Sequence, residues 1–162
     1  FPSIGFLPGA KDLVRLLSDA GVPLAIASGS PRSEIESLLC RYDLLGVFRG
    51  IVSANDVERK KPHPESYVKA RGLVDANQSA QGVVAFEDSI HGIASARAAA
   101  LRVVGVTNSH PREALKDAHR VVESLTGLTV ADVAAVLDRG AKRILMGPFT
   151  VYNKDNVEAA SK

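Results

Sequence analysis

Hydrophobic residues recur at helical spacing in several segments of the chain. In residues 8–21, Leu13, Leu16 and Leu17 follow the i, i+3, i+4 pattern, which predicts an amphipathic helix that ends at Gly21. A second helix is predicted after Pro31, because proline suits the first helical position. Its apolar face is formed by Ile35, Leu38, Leu39 and Tyr42.

Between the helical segments lie short runs that are almost entirely apolar. The clearest are "VPLAIASG" at 22–29 and "GVVAFED" at 82–88, with further strands predicted in 46–56, 102–108 and 120–125. Such runs are typical of strands buried on both faces of a parallel sheet. Because they alternate with helices, the pattern predicts an α/β domain over residues 1–140, followed by a tail, 141–162, of less regular pattern.

Composition and charge narrow the possible functions. The 162 residues are 46% hydrophobic and 23% charged, which is ordinary for one globular domain. A net charge of +2 without a basic, aromatic face argues against a nucleic-acid partner. No apolar run approaches the roughly 20 residues that span a bilayer, so no membrane association is expected. The single cysteine, Cys40, is expected to be buried, and cysteine poverty favours the cytosol.

Two adjacent carboxylates, Glu87 and Asp88, follow the apolar run "VVAF" directly. Like charges at the end of a buried strand repel each other unless a cation or another ligand lies between them. The pair could instead be an acidic helix start that interacts with the helix dipole. The functional interpretation is that the two carboxylates bind a divalent cation.

Two other polar groups follow predicted strands. Ser28 and Gly29 end the run "PLAIA" and offer a hydroxyl beside a backbone that a ligand can approach, with the amides of the next helix behind them. Lys61 lies between basic residues and Pro62 on a segment expected to be stiff and extended. Taken singly, Ser28 could cap the next helix and Lys61 could be a solvated lysine.

The order of these groups carries more information than any one of them. Ligands of an open parallel sheet bind at the carboxyl ends of the strands. A hydroxyl, backbone amides, an ammonium and an acidic pair collected there suit a phosphate beside Mg²⁺. The sequence therefore predicts a Mg²⁺-dependent phosphate site built from Ser28, Gly29, Lys61, Glu87 and Asp88.

The motifs "LAIASGSPR", "KKPHPESY" and "VVAFEDSIHGIASARAA", after Pro8-Gly9-Ala10, resemble the haloacid dehalogenase superfamily. Within it, the chain is similar to the branch of phosphoglycolate phosphatases and beta-phosphoglucomutase. The resemblance implies a Rossmann-like three-layer α/β/α core with a mostly parallel sheet. It also implies that Ser28 and Gly29 hold phosphoryl oxygens, that the catalytic Lys61 neutralises the phosphoryl group, and that Asp88, with Glu87 beside it, binds Mg²⁺.

The chain departs from this family at the start of the reaction. The family's nucleophile lies in an Asp-x-Asp-x-Thr/Val motif, and these residues contain no two aspartates separated by one residue. The helical cap that usually selects the substrate is missing too. We therefore expect the C-terminal part of a longer enzyme, inactive alone, without the first central strand of its sheet.

The missing strand would lie between those that end at Ser28 and Glu87. We expect an N-terminal segment or a second chain to fill this place. The tail is not expected to do so, because Pro148 cannot donate to a strand ladder.

The resemblance implies a phosphatase acting on a small phosphorylated metabolite such as a sugar phosphate or phosphoglycolate. Two alternatives stay open at this point. One is a phosphomutase of the same family, which differs in the group that receives the phosphoryl. The other is a non-catalytic regulatory module that binds phosphate and metal.

Overall fold

Helices and strands alternate in the computed structural model, which describes residues 5–75, 80, 82–137 and the strand 143–145. The helices are α1 Ala10–Asp19, α2 Arg32–Arg41, α3 Glu65–Val74, α4 Ile90–Ala98 and α5 Val130–Ala134. The strands are β1 Ile26–Ala27, β2 Ile51–Val52, β3 Val83–Glu87, β4 Arg102–Val106, β5 Arg120–Val122 and β6 Arg143–Leu145. The predicted alternation is confirmed, although β1 and β2 are shorter than the apolar runs that contain them.

Local capping sets the start of two of these helices. The hydroxyl of Ser89 accepts a hydrogen bond from the amide of Gly92 at 2.9 Å and thereby caps α4. Thr129 caps α5 in a reciprocal box with Asp132. Such caps satisfy amides that have no partner within the helix, and they explain why each helix begins where it does.

Every strand pairing is parallel among the described residues, as predicted. β1 pairs with β2, and the other strands form a sheet in the order β5-β4-β3-β6. In the register of this sheet, Glu87 at the end of β3 lies opposite Gly105 of β4. The carboxyl ends of β3 and β4 therefore reach the same edge.

Side chains alternate between two buried clusters on the faces of the sheet. One cluster joins Val84 and Phe86 to α1, α2 and α5, while the other joins Val83 and Ala85 to α3 and α4. The molecule is thus a three-layer α/β/α arrangement, as expected. The second face is rich in small residues: Ala25, Ala27, Ala70, Ala85, Ala96 and Ala99.

The edge of β3 that faces away from β4 carries an unexpected strand. Residues Arg143–Leu145, from the predicted tail, pair there with Val83–Ala85. The expectation that the tail does not enter this position is wrong for these three residues. They precede Pro148, so the missing amide of that proline does not affect their ladder. The domain boundary at residue 140 stays a prediction, and 146–162 lie outside the described residues.

The structure corrects two details of the sequence patterns. Val14, rather than Leu16, completes the buried face of α1, and Leu16 is 42% exposed. Cys40 is exposed on α2 rather than buried. No helix in the described part of the chain combines the length and apolarity that crossing a bilayer requires.

Candidate active site

Ser28 and Gly29 follow β1 directly and differ in exposure. Ser28 is buried, and its backbone amide donates to the carbonyl of Val52 at 2.9 Å, which ties it to β2. Its hydroxyl oxygen accepts a hydrogen bond from the amide of Ser30 at 3.2 Å. Because the oxygen is the acceptor in that bond, the hydroxyl proton remains available to donate to a ligand.

Gly29 faces open space. A Cβ at this position would meet no atom within 4 Å, and its backbone conformation is one that other residues also adopt. Within residues 5–75, 80 and 82–137, no acceptor bonds its amide. The absence of a side chain therefore leaves room for a ligand to reach a free N–H group.

The start of α2 contributes less than the sequence suggested. The amide of Arg32, expected to be open toward a ligand, donates to Oδ1 of Asn55 at 2.9 Å. At the end of β1 itself, the hydroxyl of Ser28 and the amide of Gly29 stay available as donors among the described residues.

Lys61 connects the ends of two strands that do not pair with each other. Its Nζ donates to the carbonyl oxygen of Ala27, at the end of β1, at 3.1 Å. It also forms an ion pair with Oε1 of Glu87, at the end of β3, at 2.6 Å. Residues 61 and 62 form a turn with a cis peptide bond before Pro62, so the expected extended conformation is wrong.

Glu87 is completely buried, and its carboxylate is enclosed by side chains. Oε1 accepts hydrogen bonds from both Lys61 and the hydroxyl of Tyr67. Its other oxygen lies against Gly92, where any Cβ would overlap it. Burial raises the pKa of Glu87, although Lys61 and Tyr67 oppose that shift. Burial, and then the charge of Glu87, raise the pKa of Tyr67, which therefore keeps its proton and donates.

Asp88 is buried as well, but its carboxylate is only partly engaged. Oδ2 accepts a hydrogen bond from the hydroxyl of Ser109 at 3.0 Å, and its carbonyl oxygen lies 3.1 Å from Nδ1 of His110. In the described part of the chain, Oδ1 has no hydrogen-bond partner. One carboxylate oxygen is therefore free to bind a cation.

The donor set at this edge fits Mg²⁺ as a partial site. No group of three or more histidine, cysteine or acidic side chains among the described residues could hold a metal. Mg²⁺ is usually bound by one or two carboxylates, completed by water and substrate phosphate, so Asp88 suits the role. In this arrangement the carboxylate of Glu87 is engaged by Lys61 and Tyr67 instead.

The side chain of Lys61 thus links the two strand ends that carry the other four predicted residues. Lys61 contacts both Ala27, beside Ser28, and Glu87, beside Asp88. Gly29 follows Ser28 on the same strand end. The roles assigned to these residues in binding and catalysis stay predictions.

Sequence reasoning missed the residues that surround Glu87 and Asp88. Tyr67 could have been found, because it shares the buried face of α3 with Ala70 and Val74, and a buried tyrosine needs a partner for its hydroxyl. Ser109 and His110 follow β4, as Asp88 follows β3, and their position after a strand end was the available signal.

Comparison with known proteins agrees with the sequence motifs. Residues 2–106 match the model of the haloacid dehalogenase-like hydrolases. Validoxylamine A 7'-phosphate phosphatase of Streptomyces hygroscopicus subsp. limoneus is 35% identical over 125 residues, which are 77% of this chain and 58% of that protein. Hexitol phosphatase B of Escherichia coli K12 is 32% identical over 131 residues, which are 78% of this chain and 57% of that protein.

Solved structures show the same relationship. Beta-phosphoglucomutase from Clostridium difficile superimposes with a TM-score of 0.69 at 25% identity, over 80% of this chain and 55% of that one. CbbY from Rhodobacter sphaeroides, solved with phosphate, gives a TM-score of 0.68 at 28% identity, over 78% and 57%. The chain spans somewhat more than half the length of these relatives. It belongs to the haloacid dehalogenase-like hydrolases, in their beta-phosphoglucomutase-like branch.

Proposed function

We propose that this chain carries the phosphate-binding and metal-binding half of a Mg²⁺-dependent phosphatase that acts on a small phosphorylated metabolite. The observation that carries the proposal is the position of Lys61, whose Nζ contacts the ends of both β1 and β3. These contacts support a site in which the ammonium lies near the strand end that carries Ser28 and Gly29 and near the one that carries Asp88. The names of the related phosphatases support this choice of reaction.

Each residue has a distinct part in holding the phosphoryl group. The hydroxyl of Ser28 and the amide of Gly29 donate to two of its oxygens. Lys61 uses two of its three N–H groups on Ala27 and Glu87, which leaves the third for a phosphoryl oxygen. Fixed donors of this kind stabilise negative charge as it develops in phosphoryl transfer.

Asp88 would hold Mg²⁺ through Oδ1, with Ser109 fixing the other oxygen. When bound, the metal supplies positive charge that polarises the phosphoryl group. The attacking carboxylate is supplied by residues outside this chain, either upstream in the same protein or from a second chain. The isolated chain then binds phosphate without turnover.

The test uses two samples. Isothermal titration calorimetry of the chain should give saturable binding of inorganic phosphate that strengthens with Mg²⁺ and is lost in Lys61→Met. The gene product that contains this chain should hydrolyse p-nitrophenyl phosphate with Mg²⁺ and stop when a chelator is added. Hydrolysis that is indifferent to chelator, with Asp88 intact, contradicts the proposal.

A non-catalytic phosphate- and metal-binding module is the second candidate, favoured by the absence of Asp-x-Asp from these residues. This candidate also predicts phosphate binding that strengthens with Mg²⁺, but it predicts no hydrolysis by the gene product. A phosphomutase is the third candidate, favoured by the likeness to beta-phosphoglucomutase. It predicts transfer to a second hydroxyl of a sugar phosphate in place of hydrolysis.

A further inference from the structure

Tyr67 is a fully buried tyrosine whose hydroxyl donates to a charged group of the site. It lies in the first turn of α3, just after the turn that carries Lys61, and its hydroxyl bonds Oε1 of Glu87. Neither residue belongs to the set that would touch phosphate or metal directly in this arrangement. Their contact therefore needs another explanation.

The same oxygen of Glu87 accepts from Lys61 at 2.6 Å. In addition, Nζ of Lys61 lies 4.7 Å from the centroid of the Tyr67 ring, within the range of a cation–π contact. Tyr67 thus acts on Lys61 in two ways: its ring contacts the ammonium, and its hydroxyl fixes the carboxylate that holds the ammonium.

We propose that Tyr67 is a positioning residue for Lys61, whose hydroxyl holds Glu87 in the one orientation that directs the ammonium toward the phosphate position. The inference rests on the proposed function and adds a residue to it. Three contacts restrain the ammonium: Ala27, Glu87 and the ring of Tyr67. With two N–H groups committed, the direction of the third is fixed, and a fixed donor binds an anion without the cost of being ordered.

The enclosure of Glu87 strengthens this reasoning. Oε1 accepts from Lys61 and Tyr67, while Oε2 accepts from the hydroxyl of Ser89 at 3.4 Å and lies where a Cβ on residue 92 would be. When the hydroxyl of Tyr67 is removed, Lys61 becomes the main donor to Oε1. The carboxylate is then less restrained, and the ammonium that it holds is no longer fixed toward the phosphate position.

The experiment compares Tyr67→Phe with the unchanged chain. The variant keeps the ring and its contact with Lys61 and removes only the hydroxyl. We expect the dissociation constant for inorganic phosphate, measured by calorimetry, to rise about tenfold, the size of one hydrogen bond to a charged group. The ammonium signal of Lys61 in ¹⁵N-resolved NMR should also broaden through faster exchange with water.

Tyr42→Phe is the matched control. The ring of Tyr42 contacts Phe6 and Lys11, and its hydroxyl has no hydrogen-bond partner in the part of the chain that the structure describes. This variant should leave phosphate affinity and the Lys61 signal unchanged. A purely structural role for Tyr67 would lower thermal stability and leave both readouts as they are.

The outcomes separate this inference from the proposed function. If the unchanged chain binds no phosphate, both fail. If it binds phosphate and Tyr67→Phe binds equally well with an unaltered Lys61 signal, only the inference is overturned. Should Tyr67→Phe not fold, the unchanged chain still decides: phosphate must shift the NMR signals of Tyr67 and Lys61 together, and a stationary Tyr67 signal overturns the inference.

Discussion

The ends of β1 and β3 lie on either side of Lys61 and differ in how far the protein satisfies its own polar groups. At the end of β1, Gly29 is exposed and its amide has no acceptor among the described residues. At the end of β3, Glu87 is inaccessible to solvent and enclosed by Lys61, Tyr67 and Gly92. A binding site needs both: unsatisfied donors to meet the ligand and a satisfied, rigid support that fixes the neighbouring cation.

The largest effect is expected where the enclosed end is disturbed. Gly92→Ala places a methyl group in the volume of the Glu87 carboxylate, and α4 cannot move away easily because Ile93 and Ala96 are buried. We expect a loss of about 3 kcal/mol in the free energy of unfolding. Helix propensity alone predicts that glycine to alanine raises the free energy of unfolding by roughly 0.5–1 kcal/mol. The sign of the measured change therefore distinguishes the two effects.

Denaturant unfolding measures this change, with Gly46→Ala as the control. A Cβ at Gly46 meets nothing within 4 Å, so the control should stay within about 0.5 kcal/mol of the unchanged chain. Equal stability of the two variants would show that the carboxylate is not held against α4.

The opposite behaviour is expected at the open end. Gly29→Ala should change the free energy of unfolding by less than about 0.5 kcal/mol, since a Cβ there meets no atom. The methyl group nevertheless occupies the space beside a free amide, so the dissociation constant for phosphate should rise about tenfold, or ~1.4 kcal/mol. Calorimetry with Gly46→Ala as the control checks this; unchanged affinity would place the ligand elsewhere.

A smaller effect is expected from stabilising the end of α4 without changing any residue of the binding site. Ala100, just after α4, has a φ of 62°, in the left-handed region that costs non-glycine residues about 1 kcal/mol. Ala100→Gly should therefore raise the free energy of unfolding by roughly this amount and leave phosphate affinity unchanged. Ala98→Gly, at the last residue of α4, should lower the free energy of unfolding by about 0.5–1 kcal/mol. Two changes of the same sign would contradict the conformational argument.

The smallest effect concerns the turn that carries Lys61. Glu65 accepts hydrogen bonds from the amides of Glu58 and Arg59 at 3.0 and 2.9 Å and closes this turn. Its bond with Lys69, followed by those two amides, lowers the pKa of Glu65 to about 2. Because the folded pKa is below the unfolded one, the stabilisation is complete above pH 4.5 and is lost as the pH falls toward 2.

Thermal unfolding between pH 7 and pH 2 tests this sign with Glu65→Gln. The midpoint of the variant should lie below that of the unchanged chain at neutral pH, and the two should converge as the pH falls through this window. A separation that is independent of pH would mean that the charge of Glu65 does not contribute. Phosphate affinity at pH 7 should weaken slightly, because the turn holds Lys61.

Particular residues show what the sequence could predict. The strand ends could be found because apolar runs and polar residues meet there, as at Glu87, and parallel strands align these ends. The contact between Lys61 and Glu87 could not, because 26 positions separate them and spacing does not reveal how a turn directs a long side chain. The argument from Pro148 did not apply to Arg143–Leu145, because these residues precede the proline.

The alanine-rich face of the sheet has a consequence for the geometry of the whole edge. Side chains as small as Ala27 and Ala85 bring α3 and α4 nearer to the strands than bulky residues would allow. The side chain of Tyr67 on α3 can then reach Glu87 at the end of β3. In an Ala85→Leu variant the larger side chain would push α3 away from the sheet, and the hydroxyl of Tyr67 would no longer reach Glu87.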